Sequence, residues 1–581
     1  MSSRGLISAA ALAFAFTGTI GCGGDDGSPA ASGGAGGGAG SAGSPGTGGA
    51  PGIGGSAGSG GGTGGAAGGT GGAAGGTGGA AGGTGGAAGG TGGAAGGTGG
   101  AAGGTGGTGA WLDPVPAPEQ VFYVSPNGTG DGKTRANPLN LPAAVAQSQP
   151  GHFYWLLEGT YEVGDLDFSE EGGPDRPLIY RAEEGAHVLF RGHVTLSASW
   201  VWLWGVEITA RSPGAMDRDE CLSQNGDGTH VINNVLHDCD NGILSSDRHS
   251  QIVYGNIIYN GHHNAYVQNS FDDNGYKYFV NNISFNADAI RGNAAGPYEF
   301  HAYGEGGSIS GLWLEKNVFF NTNGGGEMLI GARNKTPNSN EVLRGNYFYK
   351  SSAHLGFARP VSFEFTGNYI ARTFLQSEYF WGTGETRFSE QPLSVVEDNE
   401  IVLPEDGRHI SFRTSAYRAG PFGDCSDPTC RDDGGPRIRA GERWDRNRYS
   451  TPFRAGFYAG GTDRFTQNND FDTWKSLTAA AGAAFDANSE VVPAPSGQKV
   501  VLIPNEYEPG RAHLIIFNFA PSSGATAAVD LSPAVAAGRS YRITRVADAF
   551  GTPIASGTQS GASVSVPASA EFQAYLVTSR P

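Results

Sequence analysis

The middle of this chain repeats an asparagine that is followed at once by a short apolar segment. The pattern occurs at Asn234-Val235, Asn256-Ile257-Ile258, Asn282-Ile283, Asn317-Val318-Phe319, Asn346-Tyr347-Phe348, Asn368-Tyr369-Ile370 and Asn399-Glu400-Ile401. Successive asparagines lie 22 or more residues apart, and the longer intervals contain Gly-rich insertions. A recurring unit of this size predicts a stacked repeat architecture, in which each unit contacts only its neighbours.

Each unit contains short segments of alternating polarity, such as Gln251-Ile252-Val253-Tyr254, and no helical stripe. An asparagine at the same tight turn of every coil can form an internal amide ladder that satisfies buried polar groups. A leucine-rich repeat would need leucines that are missing here, and a propeller would need four strands in each longer unit. The pattern therefore predicts an all-β fold, a right-handed parallel β-helix.

Open terminal coils of such a stack would be templates for further strand pairing, so we expect both ends to be covered. Residues Ala143 to Gln149 favour a short helix before the strand Phe153–Leu157. At the other end, Phe471-Asp472-Thr473-Trp474-Lys475 opens an Ala-rich segment, and we expect it to form a helix that closes the stack.

The N-terminus has the features of a signal peptide. Arg4 precedes a short apolar run from Leu6 to Ile20, which is too short to span a bilayer. The run Thr19-Ile20-Gly21-Cys22 resembles a bacterial lipobox, with Thr19 where leucine is usual. The resemblance implies removal of residues 1–21, acylation of Cys22 and attachment to the cell envelope by lipid alone, facing the periplasm or the cell exterior. Ordinary signal-peptidase cleavage is the alternative.

Residues 22–110 are almost wholly Gly, Ala, Thr and Ser, with Gly-Gly-Thr-Gly-Gly-Ala-Ala repeated in register. Such a segment cannot bury enough apolar surface to offset the entropy lost on ordering, so we expect a disordered tether. Glycine is not at every third position, which argues against collagen. A Gly-rich coil of this length has an r.m.s. span of about 50 Å.

The remaining cysteines number four, as expected for disulfides in an exported chain. Cys425 and Cys430 flank a short polar loop and are expected to pair, and Cys221 and Cys239 are candidates for a second bridge. The net charge of −18 argues against nucleic acid as a partner. It would also repel a polyanionic substrate, unless a local Arg/Lys patch or a bound cation intervened. We expect a monomer.

A smaller all-β unit is predicted for residues 493–581, after the linker Pro493-Ala494-Pro495-Ser496-Gly497. Its strands include Leu514–Phe517 and Phe572–Val577, and the Gly, Pro and Ser residues between strands favour a β-sandwich. The unit resembles the accessory modules that follow many carbohydrate-active enzymes, and a purely structural cap is the alternative. The β-helix would then occupy residues 111–492.

Several runs of the chain resemble bacterial β-helix proteins of the pectate-lyase-like superfamily. The runs are Phe122-Tyr123-Val124-Ser125-Pro126-Asn127-Gly128, Glu158-Gly159-Thr160-Tyr161, Gly255-Asn256-Ile257-Ile258-Tyr259-Asn260, Ala265-Tyr266-Val267-Gln268-Asn269 and Phe300-His301-Ala302-Tyr303-Gly304. The resemblance extends from about Phe122 to Ser489. It implies the fold, but the superfamily includes lyases, hydrolases, epimerases and adhesins. The polygalacturonase signature and a clear calcium-binding aspartate set are missing from the sequence.

Side chains of stacked strands alternate between interior and surface, and equivalent positions on adjacent coils lie about 4.8 Å apart. Aligning Ala265/Val267, Phe300/Ala302, Met328/Ile330 and Leu355/Phe357 as interior pairs places a polar and aromatic row on the surface. That row consists of Asn264, Tyr266, Gln268, Glu299, His301, Tyr303 and Glu327. Rings for stacking and amides for hydroxyl groups are what a sugar groove requires, so the predicted partner is a polysaccharide.

Two reactions fit this row. In β-elimination on a uronic-acid glycan, His301, Tyr266, Tyr303 or Lys277 would supply base and acid, and Arg333 or Arg291 would hold the substrate carboxylate. In hydrolysis, Glu299 and Glu327 on neighbouring coils would form a retaining pair about 5 Å apart. Gln268 and Asn264 would bind substrate, and Asp272 and Asp273 are candidate ligands for a calcium ion. The third hypothesis is a surface protein that binds glycan, or a neighbouring cell, without catalysing a reaction.

Overall fold

The computed structural model describes residues 111–210, 220–246, 250–268, 276–287, 297–304, 309–332, 338–357, 361–378, 394–405, 407–413, 442–458, 465–480 and 484–580. Cys22, Cys425 and Cys430, with the bonds predicted for them, lie outside these residues. Within the described part of the chain, no helix combines the length and apolar character needed to cross a membrane.

The predicted parallel β-helix is confirmed, and its coils form three faces. The first face is a sheet of twelve parallel strands, one from each coil. These strands are Gln120–Val124, His152–Leu156, Leu178–Ala182, Val201–Trp204, His230–Ile232, Ile252–Tyr254, Lys277–Val280, Ser310–Glu315, Asn338–Arg344, Val361–Thr366, Val395–Glu397 and Arg443–Asp445.

The second face consists of short strands that follow the ladder asparagines along most of the stack. They are Glu207–Thr209, Val235–His237, Ile257–Tyr259, Ile283–Phe285, Val318–Phe320, Tyr347–Tyr349, Tyr369–Ala371, Glu400–Val402, Arg448–Ser450 and Glu490–Val492. At the N-terminal end the longer strands Gly159–Asp167 and Val188–Leu196 run through both the second and the third face.

The third face carries the row that the sequence predicts to be functional. Its parallel strands are Leu222–Gln224, Asn241–Ser245, His263–Gln268, Tyr298–Gly304, Gly326–Ala332, Ser351–Phe357, Leu375–Glu378, Ile410–Arg413 and Ala455–Tyr458, and Phe465–Asn469 pairs antiparallel with the last of them. The cystine Cys221–Cys239 links the start of this face to the turn before its second strand.

The asparagine ladder runs along the corner between the first and second faces, as predicted, and includes one further member, Asn447. The side-chain oxygen of Asn317 accepts hydrogen bonds from the backbone N and the Nδ2 of Asn282, both at 3.0 Å. Its Nδ2 donates to the carbonyl of Phe279 at 2.7 Å and to Oδ1 of Asn346 at 3.0 Å. The same pattern joins every ladder residue from Asn234 to Asn447, and all of them are buried.

The ladder ends on a buried carboxyl group in the C-terminal cap. Nδ2 of Asn447 donates to Oδ1 of Asp486 at 3.2 Å, and the indole of Trp474 donates to Oδ2 at 2.7 Å. Trp474 belongs to the predicted closing helix, which spans Phe471–Ala480. Burial raises the pKa of Asp486. The cap therefore gives the last amide of the ladder a partner in place of a further coil.

At the other end the stack is covered by the helix Leu141–Ala146, which begins two residues before the predicted start. Asn140 sets this start, because its side chain accepts from the backbone N of Ala143 at 2.9 Å in the manner of an N-cap. The aromatic residues Tyr154 and Tyr180 stack beneath it with ring centroids 4.6 Å apart.

The C-terminal unit is a small β-sandwich that packs along the second face. Its five-stranded antiparallel sheet consists of Gln498–Pro504, Arg511–Asn518, Phe572–Arg580, Ser540–Arg545 and Ala555–Thr558, and its two-stranded sheet of Thr526–Val529 and Val564–Pro567. A single turn of 3-10 helix, Val546–Asp548, follows the strand Ser540–Arg545.

Both surfaces of the five-stranded sheet are covered. One surface packs Ile515, Phe517 and Phe572 against apolar residues of the second face, including Phe320 and Tyr349. The opposite surface packs on the two-stranded sheet. Polar contacts fix the junction, since Asn505 donates to Oδ1 of Asn233 at 2.6 Å. The unit therefore covers a surface that the β-helix would otherwise expose to water.

Replacing Asn317 by alanine should destabilise the fold strongly, because it leaves buried amide and carbonyl groups of the neighbouring coils without partners. The expected loss of unfolding free energy is about 3 kcal/mol or more, measured by urea denaturation. Asn323→Ala, at an exposed position in the same coil, serves as the control and should change the value little. Equal losses in the two variants would contradict a stabilising role for the ladder.

Deleting residues 493–581 should expose the apolar surface of the second face. We expect the shortened chain to aggregate or to bind a hydrophobic dye, whereas the full chain does neither. Size-exclusion chromatography and dye fluorescence measure the effect. A shortened chain that stays monomeric with unchanged unfolding temperature would mean that the module is an independent appendage.

Candidate functional site

The outer surface of the third face gathers histidine, tyrosine and acidic residues from successive coils. In the strand register Tyr266 lies beside His301, and Gln268 lies beside Tyr303. Nearer the N-terminal ends of the strands, Tyr298 pairs with Glu327 of the following strand. The structure thus brings the predicted residues Tyr266, His301 and Glu327 onto one wall.

The rings on this wall are in contact. The imidazole centroid of His301 lies 4.5 Å from the ring of Tyr298 and 5.2 Å from the rings of both Tyr266 and Tyr303. His263 adds a further ring at 5.0 Å. Such a surface of touching rings matches the apolar face of a sugar, while the tyrosine hydroxyl groups can bind its hydroxyls.

His301 is the central ring of this group and carries no charge near neutral pH. Burial, together with the neighbouring histidines His262 and His354, lowers its pKa to about 3. An imidazole whose conjugate acid is this strong is a poor proton acceptor at neutral pH. The low pKa argues against the predicted role of His301 as the general base.

A histidine and a carboxylate form a pair at the C-terminal side of the wall. Nδ1 of His354 lies 2.5 Å from Oε1 of Glu327, and Nε2 of His354 lies 3.0 Å from Nε2 of Gln376. A neutral His354 satisfies both contacts, because its Nδ1–H donates to Glu327 and its Nε2 accepts from the amide of Gln376. The carboxylate thus fixes the ring and its tautomer.

A second oriented histidine lies at the N-terminal side. Nδ1 of His263 is 3.0 Å from Oδ1 of Asn241, and the amide of Asn241 donates to Glu220 at 3.4 Å. With the Glu327–His354 pair, these contacts form a polar and aromatic strip across six strands of the third face, from Asn241–Ser245 to Leu375–Glu378. At about 4.8 Å per strand spacing the strip is about 24 Å long, which suits an extended chain ligand.

The predicted pair of catalytic glutamates is wrong, because Glu299 points into the interior. Glu299 is fully buried, and its carboxyl group accepts from Nδ2 of Asn321 at 2.9 Å and from the hydroxyl of Ser351 at 2.7 Å. A β-bulge between Tyr298 and Phe300 makes Glu299 the extra residue, so Glu327 faces Tyr298 instead. Burial raises the pKa of Glu299 to about 8.

Two further predicted surface residues lie inside the helix. Asn264 shares the register position of Glu299, is fully buried, and donates to the hydroxyl of Ser284 at 3.1 Å. Lys277 is 1% exposed, and its Nζ donates to the carbonyls of Ser246 at 2.6 Å and Gln268 at 3.1 Å. Neither side chain can therefore meet a substrate on the wall.

Other predicted site residues fall outside the described part of the chain. These are Arg291, Arg333, Asp272 and Asp273, so the predicted arginine clamp and calcium site stay predictions. Within the described residues, no group of three or more His, Cys, Asp or Glu side chains is arranged to hold a metal ion.

Sequence reasoning missed His354 and Gln376. The predicted alignment placed Leu355 and Phe357 opposite Met328 and Ile330, whereas the structure pairs Ala353 and Leu355 with them. This shift of two residues keeps His354 on the outer surface but moves it from a place beside Glu327 to the row of Tyr266 and His301. The alternation Ala353-His354-Leu355 is the signal that could have revealed it.

Comparisons with known proteins show no family for this chain. No protein-family model matches the chain, and no curated protein matches it. Pectate lyase Pel9A is 14% identical over 60% of this chain and 80% of that one, with a TM-score of 0.31. A family 6 polysaccharide lyase from Pseudopedobacter saltans is 12% identical over 61% and 90% of the two chains, with a TM-score of 0.35. A mannuronic-acid-specific family 6 lyase from human gut microbiota is 14% identical over 65% and 92%, with a TM-score of 0.34.

Replacing Glu299 by glutamine should stabilise the protein at alkaline pH and leave the site intact. The folded-state pKa of about 8 exceeds the ordinary value of 4.5, so the stability that the protonated group contributes falls as pH rises between these values. Glutamine imitates the protonated acid, and Glu299→Gln should gain roughly 3 kcal/mol over the parent at pH 8 but little at pH 4.5. Thermal unfolding across this range measures it.

The exposed Glu171→Gln is the matched control and should show no such pH-dependent difference. A Glu299→Gln variant that folds normally but loses all turnover would restore Glu299 as a catalytic candidate.

Proposed function

We propose that this chain is a polysaccharide lyase that cleaves a uronic-acid-containing glycan by β-elimination on the outer wall of the third face. The observation that carries the proposal is the Glu327–His354 pair beside the ring surface of Tyr266, Tyr298 and Tyr303. An oriented base next to hydroxyl donors on a surface that can stack sugars is the set of groups that this reaction needs.

His354 is the proposed base. Once substrate displaces the amide of Gln376, Nε2 of His354 takes the proton from C5 of the uronate residue, and Glu327 stabilises the imidazolium that results. The electron pair of the broken C–H bond forms a C4–C5 double bond as the C4–O bond to the leaving sugar breaks. The side chain of His354 is 4% exposed, so this proton moves away from bulk water.

A tyrosine of the wall is the proposed acid. The hydroxyl of Tyr266, Tyr298 or Tyr303 gives its proton to the departing glycosidic oxygen, and His354 later returns a proton to the tyrosinate through water. The reaction consumes no water and needs no oxidant. Gln268, which lies beside Tyr303 in the register, is the proposed partner of a hydroxyl group of the same glycan.

The substrate carboxylate requires a positive partner, since the whole chain has a net charge of −18. Arg291 and Arg333 are the proposed partners, and a calcium ion is the alternative. Measuring turnover with added calcium and with a chelator separates the two, because neither addition changes the rate if arginines bind the carboxylate.

We also propose that the protein acts outside the cytoplasm as a lipoprotein, on the strength of the Thr19-Ile20-Gly21-Cys22 run. The proposal requires that Cys22 incorporates labelled fatty acid in cells, and that Cys22→Ser abolishes the label and releases the protein from the membrane fraction. A Cys22→Ser chain that stays membrane-bound would contradict it.

The purified chain should generate the ultraviolet absorbance of an unsaturated uronate from at least one polymer in a panel of uronic-acid glycans. His354→Ala should lower the rate by a factor of about 10²–10⁴, the usual contribution of a general base. Glu327→Gln should lower the rate by a smaller factor, because the imidazolium that forms during the reaction loses its carboxylate partner.

Each tyrosine of the wall is tested by replacement with phenylalanine, which keeps the ring and removes the hydroxyl. The control for general effects of a lost carboxylate is Glu171→Gln, because Glu171 is exposed and far from the wall in sequence. Reducing ends without unsaturated product would indicate hydrolysis, and binding without any product would indicate a glycan-binding protein. Either outcome overturns the lyase proposal.

A further inference from the structure

His301 has two buried nitrogen atoms and no hydrogen-bond partner for either. Both Nδ1 and Nε2 are shielded from solvent and unpaired within the described residues. The great majority of buried polar side-chain atoms in proteins are paired, so an orphaned imidazole needs an explanation. Four rings touch it, but they contact it through their faces and edges and leave both nitrogens unsatisfied.

The position of His301 suits a ligand-binding role better than a packing role. His301 is partly exposed as a residue although its nitrogens are covered, so part of the ring reaches the outer wall. Rotation about the soft χ2 torsion would turn a nitrogen toward that surface. On the next strand the register partner of His301 is Leu329. An aliphatic side chain such as this one packs without any polar atom that needs a partner, in contrast to the imidazole of His301.

We propose that His301 forms a subsite for a neutral sugar residue and binds its hydroxyl groups. The inference rests on the proposed function and narrows its substrate class to a heteropolysaccharide, in which the uronate that is cleaved neighbours an uncharged sugar. Two strand spacings, about 10 Å, separate His301 from the proposed base His354, so the two side chains address different residues of one glycan chain.

A neutral imidazole offers one N–H donor and one lone-pair acceptor. A sugar hydroxyl both donates and accepts, so neighbouring hydroxyl groups can satisfy both nitrogens. A carboxylate only accepts and would leave the lone pair unsatisfied unless the ring took up a proton. That proton would be disfavoured beside His262 and His354, which already lower the pKa of His301.

The test is calorimetric titration of the full chain carrying His354→Ala, which blocks the proposed turnover. One probe is a hexasaccharide of alternating uronic acid and neutral hexose, and the other is a homo-oligouronate of equal length. Adding His301→Phe keeps an aromatic ring and removes both nitrogens. It should weaken binding of the mixed hexasaccharide about tenfold, the value of one neutral hydrogen bond, and leave the homo-oligouronate unchanged.

Repeating the titrations in two buffers of different ionisation enthalpy counts the protons taken up on binding. At pH 6 the proposal expects the same proton count with and without His301→Phe, because a neutral ring binds hydroxyl groups without titrating. A proton uptake that disappears in His301→Phe would mean that His301 binds a carboxylate, and would overturn the inference.

His301→Asn is the second variant, since it restores one donor and one acceptor and should recover part of the lost affinity. A purely structural His301 would show changes in unfolding temperature without this recovery. Equal affinity of His301→Phe and its parent, or binding of neither probe, also overturns the inference. If the unmodified chain shows no lyase activity, the proposed reaction is contradicted and the proposed sugar subsite is not, because these titrations measure binding only.

Discussion

Each coil of this protein is joined to the next by the side-chain amide of an asparagine at one corner. A parallel stack leaves backbone N–H and C=O groups unpaired wherever the chain turns, and a buried turn without partners would cost more than its packing provides. The ladder from Asn234 to Asn447 supplies those partners, and Asp486 completes it where the stack stops. The coils that carry the strands of the third face are therefore joined to one another at this corner.

The sequence predicts the ladder well because a stacked turn needs the same residue type in every coil. Asn317 and Asn346 could be recognised without knowing what lies between them. The interior of the third face was predicted less well, since its strands depart from simple alternation. Glu299 is the extra residue of a bulge, and Asn264 shares its position, so two polar residues that alternation places on the surface are buried. No local pattern distinguishes them from true surface residues.

Lys277 shows a second reason why the sequence pattern misplaced a predicted site residue. Its ammonium group is held by backbone carbonyls at a turn, and carbonyl groups leave no trace in the amino-acid sequence. The register of His354 was misplaced by two residues, a shift that keeps a side chain on the same surface but changes its neighbours. Tyr266, His301 and Glu327 lie on one wall, as the alternation of their strands predicts, whereas their roles stay predictions. The C-terminal unit was recognised as all-β, but its burial of the second face depends on contacts such as Asn505 with Asn233 that are distant in sequence.

The spacing of the ladder has a consequence for the length of each coil. Successive asparagines are separated by 22 residues in some coils and by 48 in another, yet the amide bonds that join them keep the same length of 3.0 to 3.2 Å. Surplus residues are accommodated away from the corner, so a coil can gain or lose a loop without disturbing its neighbours. The joint between two coils therefore tolerates very different coil lengths, because it depends on the asparagine at the corner and not on the number of residues between corners.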